Sequence, residues 1–200
     1  MVDGTANDEL YPINFNRTTW NSLRGTQGSS ASPVSTSPLG RLNAARRADN
    51  DELMNGFDLP TETMWEIAAR AGETTKWAGG DTTANLSKYA WWRTKQGAGN
   101  SDNIVHNVGM LAPNAWGIYD TSGNMAEGCR DVWVDELAKA QTDAFNVIAS
   151  GDDAASFGVR GGSYLGWVDD ETKRIRLSAR IKHAKSSGTS NFGWRLAYYK

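Results

Sequence analysis

The sequence contains a single cysteine, Cys129, among its 200 residues, and this scarcity excludes several kinds of structure. No intrachain disulfide can form, so stability must come from burial, for which nine tryptophans supply large apolar side chains. With two well-separated histidines, His106 and His183, and no second thiol, the residue spacing of a zinc site is missing. No apolar run approaches the ~18–20 residues of a membrane span, and no signal peptide is visible. We therefore expect one globular domain, residues 1–200, without membrane insertion.

Charge is concentrated towards the C-terminal end although the net charge is only −2. Residues 160–200 carry nine Lys and Arg against three acids, a net charge of +6, so residues 1–159 carry −8. A basic surface can attract an acidic partner, but the same distribution is also found on ordinary solvated surfaces. Because the basic residues are interspersed with acids and no nucleic-acid-binding motif accompanies them, a nucleic-acid partner is not expected.

Helical signals are confined to the first half of the chain. Thr19 precedes a short apolar stretch that Gly25 ends, and residues 39–46 show a second helical spacing. The clearest helix starts after Thr61, a candidate N-cap, and ends at Gly72. The spacing i, i+3, i+4, i+7 predicts that its buried face consists of four apolar residues flanked by Trp65, namely Met64, Ile67, Ala68 and Ala71.

Strand-like runs are short and are separated by long loops. Residues 25–38 are rich in Ser, Gly and Pro, and residues 73–114 in Gly, Asn, Asp and Thr, so both segments are predicted to be mostly irregular. Alternation of apolar residues predicts a strand over residues 175–181. The other predicted strands are residues 11–13, 125–134, 157–164 and 194–198. Together these elements indicate an α+β domain with few short helices and strands and much loop.

Four segments, in this order, resemble the formylglycine-generating-enzyme family, also called the sulfatase-modifying-factor family. They are residues 59–70 (LPTETMWEIAAR), 114–127 (NAWGIYDTSGNMAE), 160–164 (RGGSY), and Ala179-Arg180 together with Gly193-Trp194-Arg195. The resemblance implies a C-type-lectin-like fold of the formylglycine-generating-enzyme subtype. It implies a fold and not an activity, because one fold hosts many functions.

The residues that this family uses for catalysis are missing from the sequence. In the family enzymes two cysteines shortly after the Gly-Gly-Ser bind copper and activate oxygen, and those positions here are Gly166 and Glu171. A related iron-dependent branch needs three histidines, one more than this chain has. The resemblance therefore implies no catalytic residues, no copper and no iron. Cys129 is expected to be a small buried hydrophobic residue and not a nucleophile.

A second, closer resemblance concerns the C-terminal segment. Proteins diversified by retroelements, such as viral tail-tip and bacterial surface receptor binders, share this fold and these motifs. Their variable region runs from the Arg-Gly-Gly-Ser segment to a Gly-Phe-Arg segment at the C-terminal end. Here Trp194 stands in place of the usual Phe, and the motif lies five residues before Lys200. This resemblance implies that residues 160–197 bind a protein or cell-surface receptor, on a virion or on a cell surface.

Aromatic and mixed polar side chains within that segment are the candidates for ligand contacts, because rigid rings offer contact area at low entropic cost. Core packing is the alternative for Tyr164 and Trp167, and an ordinary turn is the alternative for residues 187–191. Arg160 and Arg195 are predicted to be structural, each beside a core aromatic. The candidate ligand-binding residues are Tyr164, Leu165, Gly166, Trp167, Asp169, Ile181, Lys182, His183, Lys185, Ser187, Thr189, Ser190 and Asn191.

A possible calcium site is also implied by the family resemblance. Asp120, Gly123, Met125 and Glu127 match a site in which two side-chain oxygens combine with two backbone carbonyls. Hard oxygen ligands in a tight turn suit calcium, here in a structural role, although Asp and Glu near a Gly-Asn turn are equally common as capping residues. The residues as a whole favour a non-catalytic binding protein. A degenerate or divergent formylglycine-generating-type oxidoreductase and a structural subunit of an assembly are the alternatives.

Overall fold

The computed structural model describes residues 19–25, 33–48, 56–94, 97, 99–135, 156–165 and 174–199. Over these residues the chain forms four helices and six strands, separated by long irregular segments. No helix within them is long and apolar enough to cross a membrane. The elements are α1 (Trp20–Arg24), α2 (Pro38–Ala48), β1 (Gly56–Asp58), α3 (Glu62–Arg70), α4 (Thr83–Tyr89), β2 (Ala126–Val132), β3 (Ser156–Arg160), β4 (Ile181–Ala184), β5 (Phe192–Trp194) and β6 (Ala197–Tyr199).

The strands form a four-stranded sheet in the order β4-β3-β2-β5 and a two-stranded sheet of β1 and β6. β3 is antiparallel to both β2 and β4, whereas β5 runs parallel to β2 with Phe192 opposite Ala126. β1 is antiparallel to β6, with Phe57 opposite Tyr198. The strand predicted over residues 125–134 is confirmed as β2, and the one predicted over residues 11–13 lies outside the described residues.

Threonines begin three of the helices. The hydroxyl of Thr19 accepts a hydrogen bond from the backbone N–H of Ser22 in α1, and that of Thr61 accepts one from Met64 in α3. Thr82 caps α4 in the same way. Each bond satisfies a backbone donor that has no partner within the first helical turn. The predicted caps of α1 and α3 are therefore confirmed.

The buried face predicted for α3 is wrong. The buried residues of this helix are Glu62, Trp65 and Ala69, whereas Ile67 is 55% exposed. Of the four predicted residues only Ala71, just after the helix, is buried, and the observed face is rotated from the predicted one by roughly 140°, at about 100° per residue. Glu62 and Trp65 point inward because they make hydrogen bonds inside the protein, for example from Trp65 Nε1 to Glu127 Oε2 (2.6 Å). The spacing of apolar residues gives no indication of such bonds.

Residues 175–181 do not form the predicted strand. Residues 175–178 are in turns, and β4 begins only at Ile181. Ile175 and Leu177 are buried, but in two different clusters: Ile175 packs with Leu86 of α4, and Leu177 packs with residues of α3. Alternation therefore reflects two separate packing sites and not one face of a sheet.

Two further predicted strands are shortened or divided. β3 ends at Arg160 because Gly161 and Gly162 adopt φ angles of +84° and +66°, which extended strands do not contain. The strand predicted over residues 194–198 is split between β5 and β6, with Arg195 and Leu196 as the connection. Since β5 and β6 belong to different sheets, this short connection joins the two sheets.

Trp20 attaches α1 to the four-stranded sheet. Its side chain is buried, its ring centroid lies 6.4 Å from that of Phe157, and its Nε1 donates to the carbonyl oxygen of Cys129 (3.2 Å). The cationic groups of Arg24 and Lys185 lie 4.6 and 4.5 Å from its ring centroid, within the range of cation–π attraction. This cluster consists of Trp20, Leu59, Ala126, Phe157 and Val159, with Leu23, Ile181, Phe192 and Trp194 packed against it.

A buried ionic network attaches α3 to the same sheet. Glu62 accepts hydrogen bonds from Arg180 Nε (2.5 Å) and Nη2 (2.7 Å), and Arg160 Nε lies 3.7 Å from its carboxylate. Arg160 also pairs with Glu66 and donates to the carbonyl oxygen of Ala179 (2.8 Å). Buried charges are tolerated when they are paired and hydrogen-bonded in this way.

Gly158, in the middle of β3, leaves room for this network. A Cβ atom at this position would lie 2.2 Å from Glu62 Oε1 and 2.3 Å from its carboxyl carbon. Because the Glu62 side chain is fully buried and held by two arginines, it has no space into which to move. Glycine is therefore required here for close approach and not for an unusual backbone angle.

Asp131, in β2, meets the first turn of α3. Its Oδ2 accepts a hydrogen bond from the backbone N–H of Glu62. Burial, reinforced by the nearby charge of Glu62, raises the pKa of Asp131 to about 6 from an ordinary value of 3.8. The folded protein thus holds this proton more tightly than the unfolded chain does, and ionisation of Asp131 costs stability.

The Asp131→Asn variant is expected to be more stable than the parent protein above pH 6 by about 1–3 kcal/mol. The stabilising contribution of protonated Asp131 is complete below pH 4 and is lost as the pH rises towards and past 6, whereas asparagine stays neutral and keeps an oxygen that can accept from Glu62. Urea unfolding at pH 4, 6 and 8 measures the difference, which should vanish at pH 4. The exposed Asp135 gives a control: Asp135→Asn makes the same change at the surface and should alter the stability by no more than about 0.5 kcal/mol. An equal difference at all three pH values would contradict the prediction.

Candidate functional site

The predicted ligand-binding residues that the structure describes fall on the turn after β3, on β4 and on residues 185–191. Because β4 and β5 are at opposite edges of the four-stranded sheet, residues 185–191 run from one edge to the other. Gly166, Trp167 and Asp169 lie outside the described residues. Whether this set binds a ligand stays a prediction, but the placement of each described side chain can be compared with it.

Three of these side chains are exposed: Lys182 on β4, and Ser187 and Ser190 on the segment that follows. Leu165 and Thr189 are half-buried. These five residues have the outward placement that a contact surface needs.

Tyr164 and Lys185 do not point outward as predicted. Tyr164 is buried, its backbone N–H donates to the carbonyl of Asn124 (2.8 Å), and its own carbonyl accepts from Ser101 Oγ (3.0 Å). Lys185 is buried with its ammonium group over the Trp20 ring, and this burial lowers its pKa. For Tyr164 the alternative of core packing is the one observed. Lys185 packs inward because long cationic side chains bury their apolar stems against apolar surface.

Ile181 and His183 occupy an intermediate position. Ile181 is half-buried and packs against the Trp20 cluster. The ring of His183 stands edge-on to Phe157 and Phe192, with centroids 5.6 and 5.0 Å apart, and burial lowers its pKa. A ligand could therefore reach only part of either side chain.

A side-chain hydrogen bond connects the two ends of the predicted binding segment. Asn191 Nδ2 donates to Ser163 Oγ (3.2 Å), and Asn191 Oδ1 accepts from Thr189 Oγ1 (2.6 Å). Residues 187–191 are thereby held beside the turn after β3, close to Leu165.

The turn that resembles a calcium site lies just before and within β2. Asp120 and Asn124 adopt left-handed backbone conformations, both with φ of 56°. Asp120 Oδ2 accepts from the backbone N–H of Gly109 (2.7 Å), and Gly123 N–H donates to the carbonyl of Gly161 (2.9 Å). Burial, together with the nearby charge of Glu127, raises the pKa of Asp120.

Arg195 neutralises Glu127 through a bidentate ion pair. Its Nε and Nη2 donate to the two carboxylate oxygens at 2.7 Å each, and Nη2 also donates to the carbonyl of Tyr119 (2.7 Å). The charge of Glu127 is the main reason that the pKa of Arg195 is raised. The prediction that Arg195 is structural is confirmed, and so is that for Arg160, whose guanidinium lies 5.5 Å from the Trp65 ring centroid.

The side chains in this arrangement do not fit a calcium ion. Both oxygens of Glu127 accept from Arg195, and one also accepts from Trp65 Nε1, so the guanidinium stands where a cation would bind this carboxylate. Calcium needs six to eight oxygen ligands. Among the described residues, no group of three or more His, Cys, Asp or Glu side chains is placed to hold a metal ion. Calcium binding remains an untested prediction that would require Arg195 to move away from Glu127.

A cavity of about 490 Å³ opens beside this turn. Its volume lies in the range of pockets that bind small molecules. Three charged groups are at its wall, contributed by Asp120, Glu127 and Arg195. The remaining lining residues are Val108, Gly109, Gly117, Ile118, Tyr119, Asn124, Met125, Gly193 and Trp194.

Cys129 is fully buried in the cluster that contains Trp65, Ala69 and Leu177. Burial, together with the negative charge of Glu62, raises the pKa of its thiol well above the ordinary value. A neutral thiol without solvent contact is neither a nucleophile nor a metal ligand. The arrangement does not fit the copper centre of the family enzymes, which needs two thiolates.

Sequence reasoning did not predict the cavity. Its walls come from residues 108–109, 117–127 and 193–195, which are distant in the sequence. The signal that could have indicated it is the pairing of the Asp120–Glu127 turn with the Gly193-Trp194-Arg195 motif. These two segments meet because β5 pairs in parallel with the start of β2.

Comparisons with known proteins agree with this fold. A family model described as "Sulfatase-modifying factor enzyme 1-like domain" matches residues 18–200. The formylglycine-generating enzyme of Streptomyces coelicolor is 32% identical over an alignment 152 residues long, and the match covers 71% of this chain and 46% of that enzyme. The chain thus spans about half the length of the curated relatives it matches.

Two solved structures share the architecture. Treponema denticola variable protein 1 is 34% identical with a TM-score of 0.58, covering 70% of this chain and 47% of that one. PvdO from Pseudomonas aeruginosa is 21% identical with a TM-score of 0.65, covering 94% and 62%, which is a likeness of fold alone. The predicted α+β, C-type-lectin-like fold is confirmed. The chain belongs to the family of sulfatase-modifying factor enzyme 1-like domains.

Proposed function

We propose that this protein is a non-catalytic binding protein whose residues 160–197 present a diversified surface to a protein or cell-surface receptor, on a virion or a cell. One observation carries the proposal: the chain's single thiol, Cys129, is buried and neutral in the core. The positions that match the paired catalytic cysteines of the family are Gly166 and Glu171, which supply no thiolate. A scaffold that lacks the catalytic thiolates can still bind a protein or receptor through its surface.

The named relatives include both a variable protein and enzymes. The relative from Treponema denticola is named a variable protein, whereas several relatives that match at 26–32% identity are named formylglycine-generating enzymes. The two names point to different functions on one scaffold, so the decision rests on the residues of this chain.

The fixed and exposed residues of the segment are separated in a way that suits a diversified surface. Arg160 and Arg195 are held in ion pairs with Glu66 and Glu127, which secures both ends of the segment. Between them Lys182, Ser187 and Ser190 are exposed, and the backbone of β4 pairs with β3 irrespective of these side chains. Substitution of exposed residues of this kind usually changes stability by no more than about 0.5 kcal/mol.

An assay for catalysis tests the proposal. The purified protein, loaded with copper and incubated with a cysteine-containing sulfatase peptide in air, should produce no aldehyde. The formylglycine-generating enzyme of Streptomyces coelicolor serves as the positive control under the same conditions. If the parent protein forms aldehyde and Cys129→Ser does not, the non-catalytic function is overturned and the divergent oxidoreductase is favoured.

Diversification has its own test in the genome. A near-copy of the DNA that encodes residues ~160–195, lying beside a reverse-transcriptase gene and differing mainly at adenines, is expected. If no such copy exists, the diversified surface is withdrawn, whereas a binding function without diversification would still be compatible with an inactive scaffold. The two tests thus address the two parts of the proposal separately.

A further inference from the structure

We propose that the cavity beside Asp120 binds an organic cation, namely an ammonium or guanidinium group carried on an apolar stem. The site is distinct from the exposed residues of β4 and of residues 185–191, and none of the predicted ligand-binding residues lines it. The inference therefore goes beyond the proposed function and does not depend on it.

Of the three charged groups at the wall of the cavity, one negative group is not neutralised by an ion pair within the lining. Arg195 and Glu127 form a bidentate pair, so their opposite charges cancel locally. Asp120 is the third charged lining residue, and of its two oxygens Oδ2 accepts a backbone hydrogen bond from Gly109. The net charge of the lining side chains is thus −1, which attracts a monovalent cation and repels an anion.

The other walls suit an apolar stem. The apolar residues of the lining are Val108, Ile118, Tyr119, Met125 and Trp194. Aromatic rings in a cavity wall stabilise ammonium and guanidinium groups by cation–π attraction and also pack against methylene groups. A hydrated metal ion gains nothing from such walls, whereas an alkyl-substituted cation gains from both the charge and the apolar surface.

The cavity is held in shape by the fold. The ring of Trp194 is stacked on that of Phe157, with centroids 5.8 Å apart. The side chain of Asn124 bonds to the main chain of His106 at both ends, accepting from N–H (3.0 Å) and donating to the carbonyl (3.1 Å). Asp120 has a left-handed backbone conformation with φ of 56°, and the backbone N–H of Gly109 holds its Oδ2 (2.7 Å).

Titration of the full chain with n-butylammonium, with sodium n-butyrate as the isosteric anion, tests the proposal by NMR chemical shifts. Butylammonium should shift the resonances of Tyr119 and Trp194, and butyrate should not. In Asp120→Asn the affinity for butylammonium should fall at least tenfold. Asp102→Asn is the matched control, because Asp102 is exposed, has a similar φ of 50° and does not line the cavity. This control should bind like the parent protein.

A second variant covers the case in which Asp120→Asn does not fold. Val108 lines the cavity and is 46% exposed, so Val108→Lys is tolerated by the fold and places a competing ammonium group at the mouth. It should also weaken butylammonium binding at least tenfold. A capped Gly-Lys-Gly peptide distinguishes the sources of the cation: if it binds as well as butylammonium the occupant is a side chain of a protein partner, and if only butylammonium binds it is a free amine.

The proposal fails if butyrate binds as well as butylammonium, or if neither cavity variant weakens the binding of the cation. It also fails if calcium chloride binds to the parent protein and not to Asp120→Asn while butylammonium binds to neither, because the turn would then be a calcium site. The absence of any shift with butylammonium up to 50-fold molar excess at millimolar protein would overturn it as well.

Discussion

Glu62→Gln is expected to lower the free energy of unfolding by about 3–5 kcal/mol, the usual cost of removing one partner from a buried ion pair. Glutamine preserves the volume of the side chain but removes the charge that holds Arg180 at 2.5 and 2.7 Å and lies 3.7 Å from Arg160. The amide NH₂ group would also point hydrogen atoms at a guanidinium, which can only donate. Two buried cations are thus left with less compensation, and α3 loses part of its attachment to the four-stranded sheet.

Glu66→Gln provides the graded control for this measurement. Glu66 lies one position from the buried face of α3, its side chain is 26% exposed, and it pairs with Arg70 and with Arg160. Its partly solvated pairs should contribute less, about 1 kcal/mol. Urea or guanidinium unfolding, followed by tryptophan fluorescence, measures both variants. Equal losses in the two variants would show that burial of the Glu62 carboxylate is not what makes the network important.

Trp20→Ala is expected to lower the free energy of unfolding by about 3–5 kcal/mol, or to prevent folding. The ring is 2% exposed and packs against Phe157, and its removal would leave a large cavity between α1 and the sheet. The variant also loses the hydrogen bond to the Cys129 carbonyl. Lys185, whose ammonium group lies 4.5 Å from the ring centroid, would in addition lose the surface that shields it.

Trp116→Ala is the matched control for Trp20, because the same truncation is made at a residue that is 57% exposed. The backbone N–H of Trp116 donates to Asn114 Oδ1, and this bond survives the substitution. The expected loss is below about 1 kcal/mol, within the range of surface substitutions. A comparison of the two melting curves therefore separates the effect of burial from the effect of losing an indole ring. Similar losses would contradict the assignment of Trp20 to the core.

Local signals were sufficient to predict the starts of α1 and α3 and the presence of β2. Thr19 and Thr61 are recognisable as caps because an N-cap acts within one turn of the chain. The fold class, in contrast, came from motif resemblance, and the comparisons confirm it. Neither kind of signal depends on where distant residues meet.

Predictions failed where contacts between distant residues decide the structure. The inward face of α3 is set by Glu62, whose partners Arg160 and Arg180 are about a hundred residues away and could not be paired from spacing alone. The alternation of Ile175 and Leu177 looked like a strand because burial in two clusters gives the same pattern as burial on one face.

The candidate site shows the same limit. The exposure of Lys182 on β4, and of Ser187 and Ser190 on the segment that follows, agrees with their prediction as surface residues. Lys185 was mistaken for a surface residue because the sequence does not reveal that Trp20 lies beneath it. The cavity beside Asp120 arises only when β5 is placed against β2, and no local pattern encodes that pairing.

The order of strand pairing has a consequence for biosynthesis. β2 can pair with β5 only after β5 has been synthesised, about 65 positions later, and β1 can pair with β6 only about 140 positions later. Neither sheet can therefore close until the ribosome has released residues 192–199. A nascent chain of this protein exposes β2 during the last third of its translation and the buried face of α3, with Glu62 and Trp65, for longer, so its yield in a cell should depend on chaperones that protect unfinished β-structure.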